Sequence, residues 1–208
     1  MRARTLSCIA ALILSLSTST AWAQIDRGDR QLRLSTSVLH YLGGTVEDDD
    51  GDEEDFDNLV FGLGQPSLGI GLAFVVVDGL SVGFEVAMGY HWSDEADISV
   101  FAFELLGTVE YAFLDGRIRP YVDGVLGMTG EAGEAELLWY TEDSWWVAFQ
   151  VGAGGGVHFF VADAVSLDLG VLFSLGVGGG EIDLGDFDVD FSVLAFDFDM
   201  NFGVSGWF

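Results

Sequence analysis

The side chains of this sequence best suited to chemistry are its histidines, His40, His91 and His158. A hydrolytic site would need a serine, a histidine and an acid within mutual reach. Asp168 falls opposite His158 if a turn at 161–165 sets the pairing of two strands, but no serine is placed between them. Ser166 and Ser174 share only the face of that strand. We therefore predict a buried hydrogen bond between His158 and Asp168, no catalytic residue, no enzyme activity and no cofactor.

The densest acidic segment, residues 43–58, is the second candidate site. Its pattern resembles the start of a calcium loop, but the glutamate expected at the twelfth position is missing. We therefore predict no defined metal site. Diffuse attraction of divalent cations by Asp48, Asp50, Asp52 and Asp55 is one interpretation, and a solvated, self-repelling loop is the other.

The net charge excludes one class of partner. The chain has 34 acidic and 7 basic residues, a formal net charge of −27. None of the basic residues is a lysine. Because nucleic-acid binding needs a basic surface, nucleic acid is excluded as a partner.

The first 23 residues have the pattern of a signal peptide. Arg2 and Arg4 precede an apolar run at 9–16, and a small-x-small cleavage site follows at 21–23. We predict that residues 1–23 are removed and that residues 24–208 form one domain. Cys8, the only cysteine, lies in the removed segment, so no disulfide is expected. No later run of 18 or more apolar residues suggests a spanning helix.

The rest of the chain alternates large apolar with small or polar residues. A period of two predicts β-strands. Asp-Gly pairs at 78–79 and 115–116 predict tight hairpins, and 161–164 predicts a third. Four acidic segments, 43–58, 93–97, 131–143 and 178–190, are expected to be long loops. The predicted strands are 30–42, 59–77, 80–92, 98–113, 118–130, 144–160, 165–177 and 191–208.

The two faces of these strands differ in a way that favours a membrane protein. A soluble barrel, such as a secreted lipocalin-like one, would turn the bulky apolar face inward and leave a poorly solvated coat outside. The opposite arrangement suits a bilayer, with a small, polar face lining a narrow interior. We therefore predict an all-β fold, an eight-stranded antiparallel up-and-down transmembrane β-barrel. Its predicted lumen network consists of Glu85, Glu104, Glu110, Arg119, His158 and Asp168.

Three local motifs resemble one family of barrels across the whole mature chain. They are Arg-Pro-Tyr-Val at 119–122 followed by Gly124 and Gly127, the Gly-rich 152–156 running into Phe159, and the terminal Gly-Val-Ser-Gly-Trp-Phe at 203–208. The chain resembles the eight-stranded bacterial outer-membrane barrels, such as the transmembrane domain of outer-membrane protein A and the opacity proteins.

This resemblance implies contact with outer-membrane lipid and insertion by the outer-membrane assembly machinery. That machinery reads the last strand, here with Gly203 and Phe208 as its signal. Gly206 stands where an apolar residue is usual. In this class, loops are extracellular and both mature termini are periplasmic.

Simple hairpin registers also predict pairs in the lumen. If the 92–97 loop sets the register, Glu85 lies directly opposite Glu104. Arg119 is diagonal to Glu110 across the 114–117 turn and is expected to pair with it. Glu85 and Glu104 would then have no base, so any ion path would prefer cations.

Three functions are compatible with this sequence. The first is a structural or surface-interaction role in the cell envelope, with acidic loops presented outside. The second is a porin-like transport role, either a narrow cation-preferring pore or a conduit for small hydrophobic compounds. The third, an outer-membrane lipid-modifying enzyme, lacks an assembled triad.

Overall fold

Alternating residues along the chain form β-strands in the computed structural model, which describes residues 25–48, 53–61, 68–93, 98–113, 115–137, 140–183 and 188–208. None of these residues forms a helix long and apolar enough to span a bilayer. The strands are β1 (Arg30–Asp48), β2 (Glu53–Phe61), β3 (Leu68–Val77), β4 (Leu80–Ser93), β5 (Ile98–Ala112), β6 (Ile118–Leu137), β7 (Tyr140–Ala162), β8 (Val165–Asp183) and β9 (Asp188–Trp207).

The strands close into a ring of eight positions. Each strand from β3 to β8 pairs antiparallel with the next, and β9 pairs back onto β1. β2 and β3 together fill the second position, because β3 pairs with residues 30–36 of β1 and β2 with residues 39–47. The predicted eight-stranded, up-and-down architecture is therefore confirmed, but the predicted strand 59–77 is two strands. The residues between them, 62–67, lie outside the described part of the chain.

The strands are longer than the alternation predicts at one end of the barrel, which we call the hairpin end. β6 and β7 continue to residues 137 and 140, and β8 and β9 to residues 183 and 188. Most of the acidic segments interpreted as loops are thus paired strands. The backbone pairing of β6 with β7 and of β8 with β9 continues through these segments although their sequences do not alternate.

The opposite end, the short-turn end, carries the tight turns. Gly79 and Gly116 have φ values of 79° and 124°, which favour glycine. A third turn covers residues 163–164 between β7 and β8. All three predicted tight turns between strands are therefore confirmed.

Bulky apolar side chains point outward. Leu126 and Phe149 are each 67% exposed, and similar residues surround the ring. Serines, acids and His158 lie buried inside. A soluble barrel would show the reverse arrangement, so the structure supports the transmembrane interpretation over the lipocalin-like one.

Candidate functional site in the lumen

His158 is the centre of a buried polar network at the short-turn end. Its Nδ1 lies 2.7 Å from Asp168 Oδ1, and its Nε2 lies 2.8 Å from Glu110 Oε1. β7 and β8 bring the first pair together because the tight turn at 163–164 sets His158 opposite Asp168, as predicted. A neutral imidazole donates from only one nitrogen, so both contacts require a second proton on the ring or on one carboxyl group.

Arg33 supplies the cation of this network. Its Nη2 donates to Glu110 Oε2 at 2.5 Å, and its Nε lies 3.6 Å from Asp168 Oδ2. The predicted pairing of Arg119 with Glu110 is therefore wrong. Arg119 Nε donates to the Gly116 carbonyl at 3.2 Å, and its guanidinium lies over Phe160. The prediction considered only neighbouring strands, whereas Arg33 reaches Glu110 across the lumen.

Two serines complete the bonding of Asp168, and a glutamine supports one of them. Ser166 Oγ donates to Asp168 Oδ1 at 2.8 Å, and Ser205 Oγ donates to Oδ2 at 2.5 Å. Gln31 Nε2 donates to Ser205 Oγ at 3.0 Å. The Asp168 carboxylate therefore receives bonds from β8 and β9, and through Ser205 it is tied to β1.

His158, Ser166 and Asp168 do not form a hydrolytic triad. Ser166 donates to Asp168, and it also accepts from Trp207 Nε1 at 3.1 Å. Both nitrogens of His158 face carboxylates, so His158 has no free nitrogen to accept a serine proton. The described part of the chain also holds no group of three or more His, Cys, Asp or Glu placed to bind a metal ion.

Aromatic rings pack around the network. Tyr121 stacks on His158 at 4.5 Å between ring centroids, and Trp207 meets the same ring edge-on at 5.4 Å. The Arg33 guanidinium lies 5.6 Å from the Tyr121 ring centroid. These rings exclude water from the charged groups, which strengthens their mutual interaction.

Beside and beyond the network, towards the hairpin end, lies an acidic cavity of about 120 Å³. Its lining includes Glu85, Glu104, Asp123, Glu131, Asp197 and Asp199. Several of these acids are bonded to neutral neighbours. Ser35 donates to Glu85 at 2.5 Å, Gln150 donates to Glu104 at 2.6 Å, and Ser37 donates to Asp199. His40 Nδ1 lies 3.4 Å from Asp197 Oδ1. The cavity is therefore rich in carboxylates and poor in cations.

The predicted face-to-face arrangement of Glu85 and Glu104 is wrong. Glu85 pairs with Leu106, and Glu104 pairs with Ala87, so the two acids are diagonal neighbours on one face. The register differs by two residues because β4 continues to Ser93, opposite Ile98. Both acids nevertheless line the same cavity.

The remaining predicted residues are scattered. Asp48 ends β1, Asp50 and Asp52 lie outside the described residues, and exposed Asp55 accepts from Thr45 Oγ1 at 3.2 Å. Of the two residues assigned to the assembly signal, Gly203 is buried opposite Ser35 and Asp168. Phe208 is 64% exposed, and its backbone exchanges two hydrogen bonds with Arg30. These contacts do not bear on diffuse cation binding or on assembly, which stay predictions.

No family model and no curated protein matches this chain. Its fold is similar to that of the outer membrane protein AlkL in lipid bilayers, with a TM-score of 0.56 at 19% identity over 92% of this chain and 94% of that one. OprG of Pseudomonas aeruginosa gives 0.49 at 16% over 89% and 99%. Neisserial surface protein A gives 0.47 at 12% over 84% and 96%. The chain has the fold of the eight-stranded outer-membrane β-barrels.

Proposed function

We propose that this protein is a closed barrel of the bacterial outer membrane with a structural and surface-interaction role in the envelope. The observation that carries this proposal is the filled lumen at the short-turn end. His158, Ser166 and Ser205 are all 0% exposed, and Asp168 is 2% exposed. Side chains that are bonded to one another in this way fill the β7–β9 side of the bore and leave no space there for a diffusing solute.

The proposed orientation puts the short turns in the periplasm and the acidic hairpins outside. The short-turn end carries exposed arginines at residues 27, 30 and 117, and both described chain termini. Barrels of this class have short periplasmic turns and longer extracellular loops. The acidic hairpins would then be exposed outside the cell, where they could bind divalent cations and positively charged partners.

A non-enzymatic role is part of the proposal. Its support is the bonding of His158, whose two nitrogens are occupied by Glu110 and Asp168. A lipid-modifying serine enzyme needs the histidine free to accept a proton from the nucleophile.

Planar-bilayer recording of the refolded barrel tests closure. We expect no reproducible conductance steps, with protein-free detergent additions as the background control. Regular conductance steps from protein that has the gel mobility of the folded barrel would contradict the proposal.

Peptide tags test the proposed orientation. A tag inserted at residues 50–51 should be detected by antibody on intact cells. The same tag at residues 115–116 should need permeabilised cells.

The acidic cavity supports a second candidate, a narrow cation-preferring path. The carboxylates of Glu85, Glu104 and Asp197 line one space, and Arg33 and His40 are the basic residues among its lining. If conductance steps are seen, the reversal potential in a potassium chloride gradient should show cation preference, and Glu104→Gln should reduce it. Anion preference would exclude this candidate.

A further inference from the structure

The segment that precedes β1 lies across the mouth of the barrel at the short-turn end. Ile25 is only 8% exposed and packs in one apolar cluster with Val75, Phe160 and Trp207. Val75 belongs to β3 and Phe160 to β7, which occupy the second and sixth of the eight ring positions. A cluster that joins opposite sides of the ring must cross the bore.

A turn at the surface holds Ile25 in this place. Asp29 N donates to the Asp26 carbonyl at 3.1 Å, and Asp26 N donates to Asp29 Oδ2 at 2.8 Å. Gly28 has a φ of 102° and donates to the Val75 carbonyl at 2.9 Å. Residues 26–28 are themselves exposed. Val75 N donates to the Asp29 carbonyl at 2.9 Å, so the pairing of β1 with β3 continues to Asp29. Beyond it, the bond from Gly28 and one from Arg27 N to Asp78 Oδ1 at 3.3 Å attach residues 25–28 to the rim.

The acidic cavity ends directly behind this cluster. Its lining reaches Gln31, Ala73 and Ser81 near the short-turn end. Ser81 pairs with Val75, and opposite residues of antiparallel strands share a face, so the cavity floor adjoins the cluster. The fully buried His158, Ser166 and Ser205, which are absent from the cavity lining, fill the β7–β9 side of the bore. Ile25 and Val75 then separate the cavity from solvent on the other side.

We propose that Ile25 is a stopper for the lumen, held in the mouth by the Asp26–Asp29 turn. Displacing residues 25–28 connects the acidic cavity to solvent at the short-turn end without unfolding the wall. This inference rests on the proposed closed state and identifies the residue that completes closure on the side of the bore that the His158 network does not fill. A peptide segment bound at the rim can leave the mouth, whereas the His158 network belongs to the strands and cannot.

Three variants test the stopper. Ile25→Asn makes the stopper polar, and Gly28→Val strains the turn because a β-branched residue avoids a φ of 102°. An added Cβ at Gly28 meets nothing within 4 Å, so the effect of this substitution comes from backbone strain and not from a steric clash. Ile118→Asn is the matched control, since Ile118 begins β6 at the same end but is 55% exposed on the outer face.

Each variant also carries Ser81→Cys as a probe of the cavity floor. Cys8, the only native cysteine, lies in the predicted signal peptide, so the probe is the sole thiol of the mature protein. The refolded barrels in lipid nanodiscs are treated with a small, charged, water-soluble maleimide. Ile25→Asn and Gly28→Val should speed labelling several-fold over the parent, and Ile118→Asn should not.

Bilayer recordings on the same proteins separate this inference from the proposed function. Conductance steps in the Ile25→Asn barrel and none in the parent support both the closed state of the parent and the stopper role of Ile25. Steps in the parent overturn the closed state. A silent parent, together with unchanged labelling and silent recordings for both stopper variants, overturns the stopper alone. Unboiled gel mobility confirms that each variant is folded.

Discussion

His158 connects carboxylates that come from two other strands of the barrel. Its contacts reach Asp168 on β8 and Glu110 on β5, and Arg33 forms ion pairs with the same two acids. Removing one member of a buried ionic network is more damaging than its net contribution implies, because the charges left behind have lost their compensation. Individual residues of this lumen therefore differ greatly in their importance for stability.

His158→Ala should destabilise the barrel strongly. The substitution leaves Glu110 and Asp168 buried beside Arg33, and breaking such a network typically costs about 3–5 kcal/mol. Urea unfolding in lipid micelles, followed by tryptophan fluorescence, measures the loss. His40→Ala is the control. His40 Nδ1 lies 3.4 Å from Asp197 Oδ1, so this substitution should lower the unfolding free energy clearly less. Equal losses would contradict the central position of His158.

Glu85→Gln should change stability in the opposite direction. The amide oxygen can still accept from Ser35, and the substitution removes one charge from an acid-rich cavity. We expect a gain of no more than about 1 kcal/mol, the size of one charge–charge interaction in a water-like dielectric. Glu110→Gln is the matched control and should destabilise, because Glu110 is bonded to Arg33 and His158. Urea unfolding measures both, and a loss for Glu85→Gln would count against the prediction.

Among the elements, β9 both closes the ring and carries the predicted assembly signal. It pairs with β8 and β1, and its Trp207 side chain enters the lumen and donates to Ser166. Gly206 lies on the outer face, and a Cβ added there would meet nothing within 4 Å. The departure from an apolar residue at this position leaves an unfilled site on the outside of the wall.

Gly206→Leu should therefore strengthen β9. A side chain there lowers the entropy lost on folding, and we expect a gain of about 0.5–1 kcal/mol in unfolding free energy. Gly127→Ala is the contrasting control, because an added Cβ at Gly127 would clash with the backbone carbonyl of Leu105. Urea titration of both variants should give shifts of opposite sign. Destabilisation by Gly206→Leu would show that the outer site is not free.

Deleting Phe208 should reduce insertion sharply. Its backbone exchanges hydrogen bonds of 2.7 and 3.0 Å with Arg30, and its exposed ring lies at the lipid-facing rim. The amount of folded protein in outer-membrane fractions measures the effect. Phe208→Tyr, which keeps the ring and the backbone, should insert normally. Normal levels of the truncated protein would argue against the terminal signal.

The sequence predicts strands and faces well, but it predicts contacts only where a turn is short. The 163–164 turn fixes the His158–Asp168 pair. Four residues separate β4 from β5, and a connection of this length does not fix the register, so the predicted partner of Glu85 is two residues away from the observed one. Alternation reports which face a residue is on and not which residue meets it across the lumen. Arg33 and Ile25, which act across the bore, could not be found in this way.

At the scale of the whole molecule, the closed ring leaves few free backbone edges in the wall. Closure satisfies the hydrogen bonds that hydrocarbon cannot provide, and opening the wall in detergent breaks many of them together. We therefore expect the folded protein to migrate differently on detergent gels before and after boiling. Identical migration of both samples, with a helical circular dichroism spectrum, would disprove the barrel.

The seam between β1 and β9 also imposes an order on folding. The other described pairings join strands that are close in the chain, so they can form as local hairpins. The hydrogen bond from Gln31 to Ser205 spans 174 residues, and its loop-closure entropy can be met only after the intervening hairpins have shortened the path. We therefore expect the local strand pairings to form before the seam between β1 and β9 closes. The buried bonds around Asp168, which draw on both seam strands, are then among the last to form.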